Sequence, residues 1–282
     1  MRTIKKLHKA EYRPIHDLIT YSPLPTASLQ QVDPFIFLNH HGPQTYKPGN
    51  KGLPFGPHPH RGMETVTFIL KGDIAHKDSS GGESVIPAGG VQWMTAGSGL
   101  IHNEVSSEKF KNEGGEMEIL QLWINLPAKY KMIKPAYTGL KSEDIPNISE
   151  GEGITMNLIS GQWKGQKGAF EPLTDIFLST IEIKKNSTLT MKVDSSRNIF
   201  FYVVQGMVSV NGKKVSKLHL VEFNNDGDDI LIGGTEDGIV IFGHAVPFNE
   251  PMVAQGPFVM NTMEEIREAY EDYQSGKMGT WN

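Results

Sequence analysis

Through the first half of the chain, apolar positions come in short runs of β-branched and aromatic residues bounded by glycine, proline and polar clusters. They do not recur at the three-to-four-residue spacing of an amphipathic helix. Strands are therefore predicted at Phe35 to Leu38, Thr65 to Leu70, Ser84 to Ile86, Val91 to Thr95 and Met117 to Leu126. The stretches "LPAKYKMIKPAY" and "SEDIPNISEGEG" then bring proline, glycine and charge, as a linker would, which puts a domain boundary near residues 127 to 150. Two domains are expected, 1–135 and 136–282. The second holds another strand series, in which "VSVNGKKV" reads as a hairpin turning at Asn211-Gly212. "VTFILKG" in one half and "FYVVQG" in the other are alike, each a strand closed by glycine, which suggests a duplicated domain. Helical spacing appears near the end, where Asn261 or Thr262 caps a helix with Glu264 and Glu265 in its first turn. Ile266, Ala269, Tyr270 and Tyr273 form its docking face, and Gly276 stops it.

Composition narrows the class. The 282 residues are 38% hydrophobic, enough for substantial cores, and the 30 glycines and 17 prolines sit between strand-like runs, so the fold is expected to be mostly β. Acids and bases are interspersed in a net charge of −5. The one basic cluster, Arg2, Lys5 and Lys6, is short and lacks interleaved aromatics, which argues against direct nucleic-acid binding. No apolar run approaches the roughly 18 residues of a membrane span, and "MRTIKKLHKAEYR" lacks the pattern of a signal peptide, so no membrane partner and a cytoplasmic location are expected. The chain has no cysteine, so a metal would have to be held by nitrogen and oxygen.

Two short stretches carry such donors. In "FGPHPHRGMETV", His58 and His60 are spaced i, i+2 and share a face if extended; in "GSGLIHNEVSS", His102 and Glu104 repeat that spacing. If their strands are neighbours in a barrel, three imidazoles and one carboxylate converge and leave open positions on a six-coordinate ion. Against this, Pro57 and Pro59 would also suit a loop with only a structural role. His40 and His41 are adjacent, point opposite ways if extended, and are expected in a loop near the site. The second half offers no comparable pair: His219 and His244 are isolated and read as structural, and Asp226, Asp228 and Asp229 as a solvated turn rather than a calcium loop.

The same residues resemble a known family. Gly52, His58, His60 and Glu64 are spaced as in the first cupin motif, with Gly72 one residue late, and Gly81, Pro87 and Gly89 open the second. Gln92 then stands where that motif usually has histidine. "HPHRGMETVTFILKG", "QWMTAGSGLIHNE", "LQLWINLP" and "GPFVMNT" together are similar to pirin, a bicupin subfamily, from about Asp33 to Thr262. The resemblance implies two tandem cupin (double-stranded β-helix, jelly-roll) barrels with a C-terminal helix. The first would hold one metal ion through His58, His60, His102 and Glu104, with Glu64 near the metal but not bound to it. It also implies that the metal is non-haem Fe(II).

Three imidazoles and a carboxylate suit Fe(II) but also Mn, Ni, Cu, Co or Zn. One carboxylate leaves the site cationic, favouring an anionic oxygen donor such as a deprotonated enol or phenol. Phe55, Met63, Trp93, Met94 and Leu100 are candidates for an apolar mouth, and Asn103, Glu64, Gln92 or His76 for orienting the ligand imidazoles. The leading function is a dioxygenase resembling quercetin 2,3-dioxygenases, taking dioxygen and a small aromatic, flavonol-like substrate, with Glu104 or Glu64 as base. The alternative, also implied by the resemblance, is an iron-binding, redox-responsive regulatory protein of the transcriptional co-regulator type, acting through a protein partner.

Overall fold

Each apolar run of the first half forms a strand: Phe35–Tyr46, Met63–Lys71, Glu83–Pro87, Val91–Thr95 and Gly115–Asn125. The computed structural model describes residues 1–281, and the chain divides into two units. One unit takes Met1–Glu11, Tyr21–Ile36 and Glu143–Pro247; the other takes Tyr12–Thr20, Phe37–Ser142 and the chain from Phe248 onward. Both are mostly β, with antiparallel pairing throughout their main sheets.

In the first unit a seven-stranded sheet runs in the order Ile4–Lys9, His219–Phe223, Asn198–Gln205, Gly238–Ala245, Ile176–Ile183, Ile154–Ser160, Asn147–Ser149. A four-stranded sheet holds Thr188–Lys192, Asp229–Gly234, Met207–Val210 and Lys213–Ser216. Inward positions at period two, including Met156, Ile181, Phe201, Val203, Ile232 and Phe242, make one buried cluster. The hairpin turns at Asn211 and Gly212, both with positive φ (49° and 81°), the conformation that favours this dipeptide. Arg2 does not contribute to a basic surface: it is fully buried and donates from Nε to Asn224 O (2.8 Å) and from Nη2 to Arg197 O (2.7 Å).

The second unit carries the paired donors. Ala136–Leu140, Val91–Thr95, Met63–Lys71, Gly115–Asn125 and Phe35–Tyr46 are consecutive in its larger sheet; its smaller sheet is ordered His58–His60, Leu100–Val105, Asp73–Asp78, Glu83–Pro87. The like segments of the two units occupy like positions, since Met63–Lys71 and Asn198–Gln205 each end at a positive-φ glycine, Gly72 and Gly206.

The domain expectation follows the sequence order, whereas the units exchange their ends. Ile4–Lys9 pairs with His219–Phe223 and so covers what would be an open sheet edge. The C-terminal helix, Met263–Gln274, belongs with the second unit because Ile266 and Ala269 pack with Ile101, Phe258, Met260 and Met278. Thr262 and Glu265 form its capping box. Tyr273, expected on the docking face, is exposed; Ser275 is the C-cap, and Gly276, directly after it with φ 77°, ends the helix as expected.

This segment is tied to the strand bearing the first histidines. Lys131 is 1% exposed and donates three hydrogen bonds, to Gly62 O (2.9 Å), Asn125 Oδ1 (2.7 Å) and Val259 O (2.9 Å). Arg61 donates from Nε to Ser98 O and from Nη2 to Asp272 Oδ2, both at 2.8 Å. Gly62 has φ 79°, and a Cβ there would meet Val259 O at 2.0 Å. Gly62→Ala is therefore expected to destabilise the protein by about 1–3 kcal/mol. Chemical denaturation of the metal-free variant measures this, with Gly56→Ala, where a Cβ meets nothing within 4 Å, as the neutral comparison.

Candidate metal centre

Strand register brings the donors together. His102 lies opposite His58 and Leu100 opposite His60 on one side of the Leu100–Val105 strand; on its other side, His102 lies opposite Asp78 and Glu104 opposite His76. Because residues two apart share a face, His58, His60, His102, Glu104, His76 and Asp78 all point to the same side of the smaller sheet.

The three imidazoles of His58, His60 and His102 form a near-equilateral triangle, with ring centroids 4.4 to 4.9 Å apart. His58 Nδ1–H donates to Gly56 O (2.8 Å) and His60 Nδ1–H to Pro257 O (3.2 Å), so the lone pairs of both rings lie on Nε2. His60 Nε2 is buried without a hydrogen-bond partner among the described residues, and His58 Nε2 stands 3.0 Å from His102 Nε2. Two nitrogens bound at right angles to one ion, with bonds of about 2.1 Å, would be about 3.0 Å apart. The donor set fits a transition metal.

Glu104 falls outside this tight group; it joins His102 and His76 in a second one, with ligand atoms within 4.8 Å of one another. Its position is fixed from the larger sheet. Thr67 Oγ1 donates to Oε1 (3.0 Å) and Gln121 Nε2 to Oε2 (2.5 Å), while Trp123 Nε1–H donates to Gln121 Oε1 (3.0 Å) and so turns the amide nitrogen toward the carboxylate. Sequence reasoning missed all three; their only signal is position, with Gln121 and Trp123 two apart on one strand face.

Glu64 stands elsewhere. Alternation puts it on the opposite face of its strand from Thr67, where Thr95 Oγ1 donates to it (2.7 Å) and burial holds its pKa above the ordinary carboxyl value. Asn103 likewise points away from its neighbours His102 and Glu104, and Gln92 gives its amide N–H to Ile74 O (3.4 Å). His76 does face the site. Its Nε2 bonds Asp78 Oδ2 (2.9 Å), and its Nδ1 is buried with no hydrogen-bond partner among the described residues.

A cavity of about 160 Å³ opens in front of His58 and Glu104, walled by Phe37, Leu53, Phe55, Ile74, Ile119 and Trp123, with Asn39, His41, Thr67 and Gln121. Of the expected mouth residues only Phe55 lines it. Met63, Trp93, Met94 and Leu100 are core residues, each at most 5% exposed. His40 and His41 lie within the Phe35–Tyr46 strand rather than a loop. Their side chains diverge as alternation requires: His40 bonds Glu118 (3.0 Å) and His41 faces the cavity. A larger cavity, about 550 Å³, lies in the first unit, but His244 is its one imidazole, stacked on Phe177 and bonded by Arg197 (2.7 Å). It cannot offer a comparable donor set.

Both units are cupin folds, and comparison with known proteins places the family. Residues 17–124 match Pirin and residues 178–279 the Pirin C-terminal cupin domain. A pirin-like protein of Solanum lycopersicum is 36% identical over 256 residues, covering 89% of this chain and 84% of its own. The crystal structure of a quercetin 2,3-dioxygenase from Acinetobacter baumannii superposes with a TM-score of 0.93 at 33% identity, covering 99% of both chains. A bacterial pirin from Escherichia coli, solved in complex with nickel(II), shares the fold at 23% identity, with a TM-score of 0.67 over 86% of this chain and 99% of its own. The chain belongs to the pirin family. No helix among the described residues is long and apolar enough to cross a membrane.

Burial, then the neighbouring His58, pushes the His60 pKa from 6.5 down to about 3, against a small opposing effect of the Pro257 carbonyl; burial, then His40, pushes His41 to about 3. His102 is lowered too, by burial and then by His60, His58 and His76. The rings are thus held neutral, as ligation requires. Between about pH 6.5 and 3 the unfolded chain binds protons at these positions while the folded chain does not, so the metal-free protein should lose stability as pH falls through this window. Urea midpoints across it are expected to fall less steeply for His60→Gln than for wild type.

Proposed function

We propose that the chain is a metal-dependent dioxygenase, with non-haem Fe(II) as its metal and a flavonol-like, quercetin-type aromatic compound and dioxygen as its substrates. One observation carries this reading: three clustered imidazoles, of which His58 lines an aromatic-walled cavity together with the buried carboxylate of Glu104. In this reading His58, His60, His102 and Glu104 hold the ion. The likeness to the Acinetobacter enzyme supports it.

When bound, the metal supplies a Lewis acid that favours deprotonation of a substrate hydroxyl and a redox partner for dioxygen. The protein supplies the rest. Phe37, Phe55 and Trp123 flank a flat ring and keep water from it. At about 160 Å³ the enclosed space is below the several hundred Å³ usual for ligand sites, so only the reacting edge of a flavonol enters and its remainder lies at the mouth. The Glu104 carboxylate, held by Thr67 and Gln121, keeps lone pairs free to accept the hydroxyl proton. Glu64, on the other face of its strand, takes no part.

Protein purified without added metal should carry a near-stoichiometric transition metal, and the anaerobically iron-loaded protein should consume oxygen on addition of quercetin. Glu104→Gln should slow uptake at least about 100-fold and His58→Ala should abolish both binding and uptake. Metal-free wild-type protein, or equal uptake by wild type and His58→Ala, would overturn the reading.

A further inference from the structure

Behind the imidazole triangle, two buried ring nitrogens have no hydrogen-bond partner among the described residues: Nδ1 of His76 and Nδ1 of His102. The two rings lie 5.5 Å apart between centroids, inclined at 51°, and the residues are 2% and 0% exposed. Isolated, each atom would be an uncompensated buried polar group.

Their donor and acceptor roles are complementary. Asp78 Oδ1 accepts from Ser80 N (2.8 Å), Ser80 Oγ (2.6 Å) and Gly82 N (3.1 Å), and Oδ2 from His76 Nε2 (2.9 Å). These bonds outweigh the upward push of burial and hold the Asp78 pKa near 2, so the carboxylate only accepts and His76 Nε2 must be the donor. With that proton on Nε2, the His76 ring offers a lone pair at Nδ1. His102 presents the reverse, because Nε2 faces the other imidazoles, and using that nitrogen for a metal leaves the ring's one proton on Nδ1.

The surroundings hold His76 in place. Its ring stacks on Tyr137 at 3.7 Å and 3°, and Tyr137 Oη bonds Ser84 Oγ at 2.5 Å. A Cβ at Gly82 would sit 2.2 Å from Asp78 Oδ2, so glycine is needed for the carboxylate to reach His76. The register sets His76 diagonal to His102, since Glu104 lies opposite His76 and Asp78 opposite His102.

We propose that, when His102 ligates through Nε2, a small rotation of the two rings lets His76 Nδ1 accept the Nδ1–H of His102, so that Asp78, His76 and His102 form a relay that fixes the His102 tautomer and strengthens it as a metal ligand. This rests on the metal-site reading above. His76 is then a positioning residue, not a ligand, although its donor atom lies within 4.8 Å of those of His102 and Glu104.

The test uses zinc as a diamagnetic probe in protein labelled with 15N-histidine. In the zinc-loaded wild type, long-range 1H–15N spectra should show His102 protonated at Nδ1, with a downfield, exchange-protected proton, and His76 protonated only at Nε2. His76→Phe keeps a flat ring against Tyr137 but removes the acceptor. It should weaken zinc binding roughly ten- to a hundred-fold in chelator competition and expose the His102 proton to exchange.

Asp78→Asn provides a second reading that does not depend on the bulk of the side chain. The three donors at Oδ1 keep the amide oxygen there, so its NH2 faces His76 and moves the His76 proton to Nδ1. Two N–H groups then oppose each other, and zinc affinity should fall although every ligand remains. A zinc-coordinated nitrogen signal at His76 Nδ1, or unchanged affinity in both variants with wild-type circular dichroism, would overturn the relay while leaving the metal site standing. A wild type that binds no zinc would remove both.

Discussion

The pairing of one short strand, Leu100–Val105, between His58–His60 and Asp73–Asp78 is what the candidate site depends on. That register sets His102 opposite His58 and Glu104 opposite His76. Side chains alternate across a sheet, so a slip of one residue on either side would turn an imidazole or the carboxylate to the wrong face. Backbone contacts at the strand ends oppose such a slip: Gly62 N bonds Gly97 O (2.9 Å), Ala96 N bonds Met63 O (2.9 Å) and Ser79 N bonds Ile101 O (2.8 Å). Lys131 adds a buried cation whose pKa is brought down to about 8 by burial, with Glu265 and Glu250 acting in the opposite direction. It is tolerated because all three of its N–H bonds are used.

Given that register, the electrostatics of the site follow. Burial, and after it the neighbouring imidazoles, disfavours protonation of His60 and His102, so the folded state keeps these two rings neutral. Such a cluster has little to gain from water and much from a cation. Glu104 supplies one negative charge but is held slightly apart, with both oxygens hydrogen-bonded from the larger sheet. The two sheets thus divide the work: one aligns nitrogen donors, the other positions the carboxylate and builds the aromatic wall.

Much of this was legible in the sequence, for identifiable reasons. Strands show as period-two apolar runs, and i, i+2 spacing is a direct statement about faces, so the pairs His58/His60 and His102/Glu104 could be picked out before any fold was known. The chain-terminal helix showed through its cap. Other features depend on which strands become neighbours, and that is invisible locally. Thr67, Gln121 and Trp123 acquire their role only when the Met63–Lys71 and Gly115–Asn125 strands pair and face Glu104. The apolar residues adjacent to the ligands in sequence, Met63, Trp93, Met94 and Leu100, went to the core instead of the cavity. His41 and Phe37 line that cavity from a strand well separated along the chain. Nor could local pattern show that residues before Glu11 and after Pro247 change units, since only an uncovered sheet edge and an apolar patch call for them.

The hydrogen bond from His60 to the Pro257 carbonyl spans 197 positions of the chain. During synthesis the ribosome delivers all three imidazoles and Glu104 long before it delivers that carbonyl. At roughly 5–20 residues per second, the interval from Glu104 to Pro257 is about 8–30 s. Through that time His60 lacks the contact that fixes its tautomer, and Arg61 and Lys131 lack Asp272 and Val259. The donor cluster therefore reaches its finished geometry only after most of the polypeptide has been made.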